Sequence, residues 1–184
     1  MASQSHLKCG TAGQRISFRI LDPKFVVHVG AYAGQCLAAA ATLFVLLCLL
    51  DTLTQTVLIA ALGASAFIAF TMPHTDSSKP RYLLGGYVIG TVIGCAASLL
   101  GAELLVLSPP QLQHLLSIAL AATATGCAMF LMTVTDTEHP PAAGLALGFA
   151  LNEWALLTVG VVILGITGIS LTKELCKSRM RNLL

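Results

Sequence analysis

Six stretches of the chain contain no Asp, Glu, Lys or Arg: residues 29–50, 52–73, 82–102, 115–135, 140–152 and 154–172. Five of them reach or approach the ~20 apolar residues needed to cross ~30 Å of hydrocarbon. The pattern predicts an all-α protein, a polytopic transmembrane helical bundle with about six membrane segments. The fifth window is the exception. A helix over 140–152 extends only ~20 Å at 1.5 Å per residue, so this segment is expected to be short or re-entrant. If the loop before it dips inward, His139 lies below the membrane surface, where irregular backbone is tolerated only when packed in protein or lining a wet cavity.

The charges between the windows decide the topology. Lys8, Arg15, Arg19 and Lys24 precede the first window, Lys79 and Arg81 fall between the second and third, and Lys173, Lys177, Arg179 and Arg181 follow the last. With six crossings all of them fall on one side, and the other side keeps Asp51, Glu103 and Glu153 with no basic residue. The positive-inside rule then places both termini in the cytoplasm. Three parts follow: an interfacial segment 1–28, a transmembrane domain 29–172 and a basic tail 173–184.

Composition sharpens this reading. Only 10% of residues are charged and 56% are hydrophobic, against about 25% charged in an ordinary soluble domain, so too few polar side chains exist to cover a water-facing surface. The first 28 residues have no apolar core behind their basic residues and do not read as a secretory signal. A prokaryotic cytoplasmic (inner) membrane, with the protein multi-pass in it, is the expected setting. The six cysteines show no close pairing; four lie inside apolar windows, so neither a disulfide framework nor a metal site is expected.

One internal match stands out. Residues 70–80, FTMPHTDSSKP, align with residues 130–140, FLMTVTDTEHP. They share Phe, Met and the polar pattern T-D-[ST]-x-x-P, which bulk hydrophobicity does not produce. Both copies follow a span running inward and precede one running back, so the expectation is a parallel internal repeat, an arrangement common in transporters.

These two loops hold the candidate chemistry. Proline is favoured at the first helical position, so Pro80 and the pair Pro140 and Pro141 mark two helix N-termini, each a natural anion site. Lys79, Arg81 and His139 add positive or protonatable groups, and Thr75, Ser77, Thr135 and Thr137 add hydroxyls. Asp76, Asp136 and Glu138 either neutralise the basic residues or hold a coupling ion. Ordinary cytoplasmic turns with helix-capping Asp and Ser are the plain alternative. The glycine ladder Gly86, Gly90 and Gly94, with Gly144 and Gly148, reads as close helix packing within the chain or between copies.

His139-Pro140-Pro141, followed by Ala142, Ala143 and Gly144, resembles the signature of the HPP family of integral membrane proteins. Gly63 to Phe67 (G-A-S-A-F), Pro73, Pro80-Arg81 and Gly85-Gly86 resemble that family's other characteristic segment, so the resemblance covers about residues 28–172. It implies about four spans and, from described members, transport of nitrite. The leading expectation is a carrier or channel for a small inorganic anion, most readily nitrite, self-associating in the bilayer, without cofactor, enzymatic activity or nucleic-acid partner. An intramembrane enzyme using Asp136, Glu138 and His139 and a membrane scaffold subunit are the alternatives.

Overall fold

The computed structural model describes residues 23–49 and 56–183, and these form six helices. They are α1 (Pro23–Leu49), α2 (Thr56–Thr71), α3 (Pro80–Leu107), α4 (Pro110–Val134), α5 (Pro140–Leu151) and α6 (Leu156–Cys176), with single 3₁₀ turns at Asp76–Ser78 and Lys177–Arg179. Among the described residues there is no strand. Each apolar window becomes one helix. Pro80 and Pro140 open helices as expected, and Pro110 opens another, each where the missing N–H has no partner to lose. Residues 1–22 and Asp51 lie outside the described residues.

Among the described residues, four segments are long and apolar enough to span a bilayer: His28–Val45 within α1, α3, α4 and Leu156–Arg179. α1 is kinked at His28, where the first window begins. α2 has 16 residues and α5 only 12, about 24 and 18 Å long. These two short helices lie inside, in contact with each other and with the long ones. Leu58, Phe70, Leu83, Tyr87, Leu145 and Ile166 belong to one buried cluster. The outer surface is just as apolar: Leu99, Leu107, Phe130, Leu156 and Leu171 are exposed. In water each such side chain would cost about 1.5–3 kcal/mol. Against lipid tails the cost vanishes.

α3 and α5 run parallel in close contact. A Cβ built on Gly86 would fall 2.7 Å from the Cβ of His139, one on Gly90 would strike the carbonyl oxygen of Ala142, and one on Gly94 would fall 2.7 Å from the Cβ of Phe149. The contacts advance together along both helices, which fixes their common direction. The ladder on α3 is therefore internal packing. On α5, Gly148 packs on Val57 and Leu58 of α2, whereas Gly144 has nothing within 4 Å.

The same contacts explain why α5 is short. Pro140 starts level with Gly86, six residues into α3 and so about 9 Å beneath its N-terminus. Thr135, where α4 ends, is still level with Arg81. The intervening loop dips into the bundle as expected, and α5 needs only the remaining depth.

The C-terminal residues return to this end. α6 continues through Lys173 to Cys176, across the boundary drawn at 172. Beyond it the Leu183 amide donates to the Thr71 carbonyl at 2.8 Å, and His74 Nε2 donates to the Met180 carbonyl at 3.1 Å. Gln35 of α1, 5% exposed, clamps this segment: its Nε2 donates to the carbonyls of Phe70 and Arg181 and its Oε1 accepts the Arg181 amide. Loop 72–79, loop 135–139 and residues 177–183 thus share one end of the bundle, together with Lys79, Arg81, Lys177, Arg179 and Arg181. Leaving buried polar groups unpaired costs about 1–3 kcal/mol. Gln35→Leu is expected to lower stability by about 2 kcal/mol and expose Arg179 and Arg181 to trypsin; limited proteolysis in detergent checks it, and a tail cleaved no faster than in wild type contradicts the clamp.

Candidate functional site

Local backbone chemistry shapes the two loops differently. In the first, the Thr75 hydroxyl donates to the Met72 carbonyl and the Ser78 hydroxyl to the Thr75 carbonyl, both at 2.8 Å. The 3₁₀ turn Asp76–Ser78 follows. In the second, the Thr137 amide donates to Met132 and the Asp136 amide to Thr133, the paired bonds that close a helix C-terminus around a left-handed residue. That residue is Asp136, with φ 54°, a conformation Asp tolerates better than most. The chain then extends through Thr137 and Glu138 to His139. Their shared sequence pattern does not give the two loops a shared conformation.

His139 is the centre of the site. It is 1% exposed. Nδ1 lies 3.1 Å from the carbonyl oxygen of Ser77 and Nε2 lies 2.8 Å from Ser65 Oγ. Ser65 Oγ is also 2.8 Å from the Tyr87 hydroxyl and 2.9 Å from the Ala61 carbonyl of its own helix. The partners fix the tautomer. A carbonyl has no proton to give, so Nδ1 is the N–H and donates to Ser77, leaving Nε2 of the neutral ring as acceptor. The imidazole and the Tyr87 ring lie 5.8 Å apart. Gly86 leaves room for the histidine, since a side chain there would displace it. α2, α3 and the loop before α5 thus supply one polar group each to a buried point in the bundle.

The other candidate residues gather at the rim. Lys79 pairs with Asp76 at 2.5 Å and Arg81 with Asp136 at 3.4 Å, all four side chains more than half exposed. Arg81 also donates to the Thr135 carbonyl, and the Tyr82 hydroxyl donates to Asp136 at 2.8 Å. Of the two roles expected for Asp76 and Asp136, the geometry matches neutralisation. Thr135 donates to the Leu131 carbonyl and meets the Thr137 hydroxyl at 2.8 Å. Ser77 serves through its carbonyl. Glu138 is exposed, so Asp136, Glu138 and His139 form no cluster. Exposed pairs contribute ~1 kcal/mol or less, so Arg81→Ala is expected to shift thermal stability by less than ~1 kcal/mol in a melting experiment; a larger loss contradicts a rim role.

The helix ends differ from expectation in one respect. Pro140 and Pro141 have no N–H, and the Ala142 amide is taken by the His139 carbonyl at 2.8 Å. The first turn of α5 therefore offers no free backbone donor at these positions. In α3, Pro80 has none and the amides of Tyr82 and Leu83 both go to Lys79, leaving Arg81. Proline suits a helix start by lacking the group an anion would bind. The dipole remains, and donors must come from side chains.

A cavity of about 370 Å³ opens between α4 and α5, lined by Met129, Met132, Thr133, Glu138, His139, Pro140 and Ala143. His139 forms its polar floor and Glu138 its charged rim.

Residues 23–178 match the family described as HPP, transmembrane region. The chain belongs to the HPP family. No curated protein and no solved structure matches it. In this HPP protein the His139-Pro140-Pro141 triplet joins two functions: the histidine closes a buried polar cluster, and the prolines start α5 at depth. Ser65 and Tyr87 were not singled out from the sequence. Ser65 sits in the G-A-S-A-F segment that carries the family resemblance, whereas Tyr87 lies just beyond the marked Gly85-Gly86 pair, and no spacing tied either to His139.

Proposed function

We propose that this HPP protein moves a small inorganic anion, nitrite first among candidates, across the membrane at the junction of α2, α3 and α5. The observation that supports this most is the buried Ser77–His139–Ser65–Tyr87 cluster, about 9 Å inside the bundle end. Ionisable groups at membrane depth are costly and functional by default. The parallel N-termini of α3 and α5 favour negative charge beside it, and the cavity at His139 gives access. In this reading no covalent chemistry occurs and no cofactor takes part. Pro80 and Pro140 each open a helix after one running the opposite way, which supports duplication of a two-helix unit. Five basic residues at the tail end of the bundle support the orientation with that end in the cytoplasm of a prokaryotic inner membrane. Self-association belongs to the same proposal and is read out by cross-linking in the bilayer.

The test is nitrite uptake into liposomes containing the purified protein, with protein-free liposomes as background. Uptake well above background is expected; uptake equal to background removes the reading. A second reading has one observation behind it, since Ser65 Oγ 2.8 Å from His139 Nε2 resembles an activated nucleophile. A serine-directed fluorophosphonate labelling Ser65 would favour that enzyme reading over transport.

A further inference from the structure

We infer that His139 carries a proton together with the transported anion, making the protein an electroneutral proton–anion symporter; this rests on the transport reading above. The observation is that the cluster has a hydrogen-bond partner for every proton in both charge states of the ring. With neutral His139, the Tyr87 hydroxyl donates to Ser65 Oγ and Ser65 donates to Nε2, while Nδ1–H donates to Ser77. When a proton binds at Nε2, that nitrogen becomes a donor to Ser65 Oγ. The Ser65 hydroxyl then turns its own proton to the Ala61 carbonyl, 2.9 Å away, and Tyr87 continues to donate to the remaining lone pair of Ser65. One proton is added, none is lost, and no buried donor is orphaned. A histidine serving only to hold the core needs partners for one state alone.

Among the described residues no carboxylate hydrogen-bonds to the ring; Glu138, which lines the same cavity, is exposed at its rim. Both ring nitrogens are engaged by a carbonyl and a hydroxyl. α2 and α5 carry no charged residue, and α4 carries only His114 and Cys127 as titratable groups. α3 contributes Tyr87, with Arg81 and Tyr82 in its first turn. His74, Asp76 and Lys79 lie on the preceding loop, Asp136 and Glu138 on the loop before His139, and Lys173 with its partner Glu174 on α6. Asp76 and Asp136 are already paired with Lys79 and Arg81. A buried imidazolium without a counter-charge is expensive. An anion arriving in the cavity at His139 supplies that charge, so each ligand strengthens binding of the other by the same factor.

A further hydroxyl extends the path. Thr91 lies one helical turn beyond Tyr87, is 6% exposed, and its Oγ1 has no partner among the described residues. Thr42, Thr71, Thr125, Thr133 and Thr167 all donate to the carbonyl four residues back. Thr91 does not, and its hydroxyl is the next group available to a proton or anion leaving the cluster.

The experiment uses full-length protein in liposomes enclosing a pH-sensitive dye, with protein-free liposomes correcting for nitrous-acid leak. Nitrite uptake is expected to acidify the lumen and to be insensitive to membrane voltage, and an inward gradient of one pH unit is expected to raise the equilibrium accumulation of nitrite about tenfold. Tyr87→Phe keeps the ring and its packing while removing the hydroxyl, and is expected to lose at least about tenfold of this proton-driven component. Histidine ¹⁵N spectra of the wild-type protein give a second readout: nitrite is expected to shift His139 towards the form protonated on both nitrogens. Nitrite uptake that follows voltage without acidification, with Tyr87→Phe unchanged and no spectral shift, overturns the proton role and leaves transport intact. Uptake no greater than background removes both.

Discussion

Gly90→Ala is expected to unlock the α3–α5 contact and cost about 3 kcal/mol or more, a fall of roughly 10 °C in melting temperature for a chain of this size. The added Cβ would strike the carbonyl of Ala142, which is backbone and cannot turn aside as a side chain can. Relief requires α3 and α5 to separate. The same movement pulls Gly86 away from His139 and Gly94 away from Phe149, so a methyl group at Gly90 also disturbs the cluster. Gly144→Ala is the matched control, since nothing lies within 4 Å of its added Cβ. In a helix interior that change is expected to be neutral or to stabilise by ~0.5–1 kcal/mol. Thermal unfolding in detergent micelles compares the two. Equal melting temperatures would contradict the parallel close-packed pair.

His139→Ala is expected to abolish anion uptake, bringing the liposome rate down to the protein-free background, while the protein remains folded. The substitution removes the one titratable side chain lining both the cavity and the buried cluster. It leaves the Ser77 carbonyl and the Ser65 hydroxyl without their long-range partner. Ser65 keeps Ala61 and Tyr87, so the stability cost is confined to about 1–3 kcal/mol. Size-exclusion profile and melting temperature separate loss of fold from loss of function. A well-folded variant that still takes up nitrite at the wild-type rate would exclude His139 from the pathway.

Much of the fold was legible in one dimension. Lipid tolerates almost no formal charge, so each charge-free window became a helix, and proline chemistry set where α3 and α5 begin. The short fifth window also carried its meaning correctly. With only 12 residues in α5, either the bilayer thins or the loop before it descends; the loop descends, and His139 with it. The rim was less legible. Lys79, Arg81, Asp76 and Asp136 were expected near the ligand, yet their long side chains find each other at the exposed surface, where sequence alone left both roles open.

The sequence by itself determined the membrane setting, the placement of the helices and the shared end of the two loops, because each depends on local charge, length or proline; it left the depth of His139 open between a descending loop and a thinned bilayer, and the structure shows the descent. Which side chains meet at that depth was decided only by tertiary structure. In a water-soluble helix a polar stripe marks the outside and an apolar stripe marks the core. In α2, α3 and α5 lipid and core are equally apolar, so no stripe distinguishes them. The faces bearing Ser65, Tyr87 and Gly90 became defined only when α5 packed between α2 and α3, where close backbone approach and the pairing of buried polar groups leave a single arrangement.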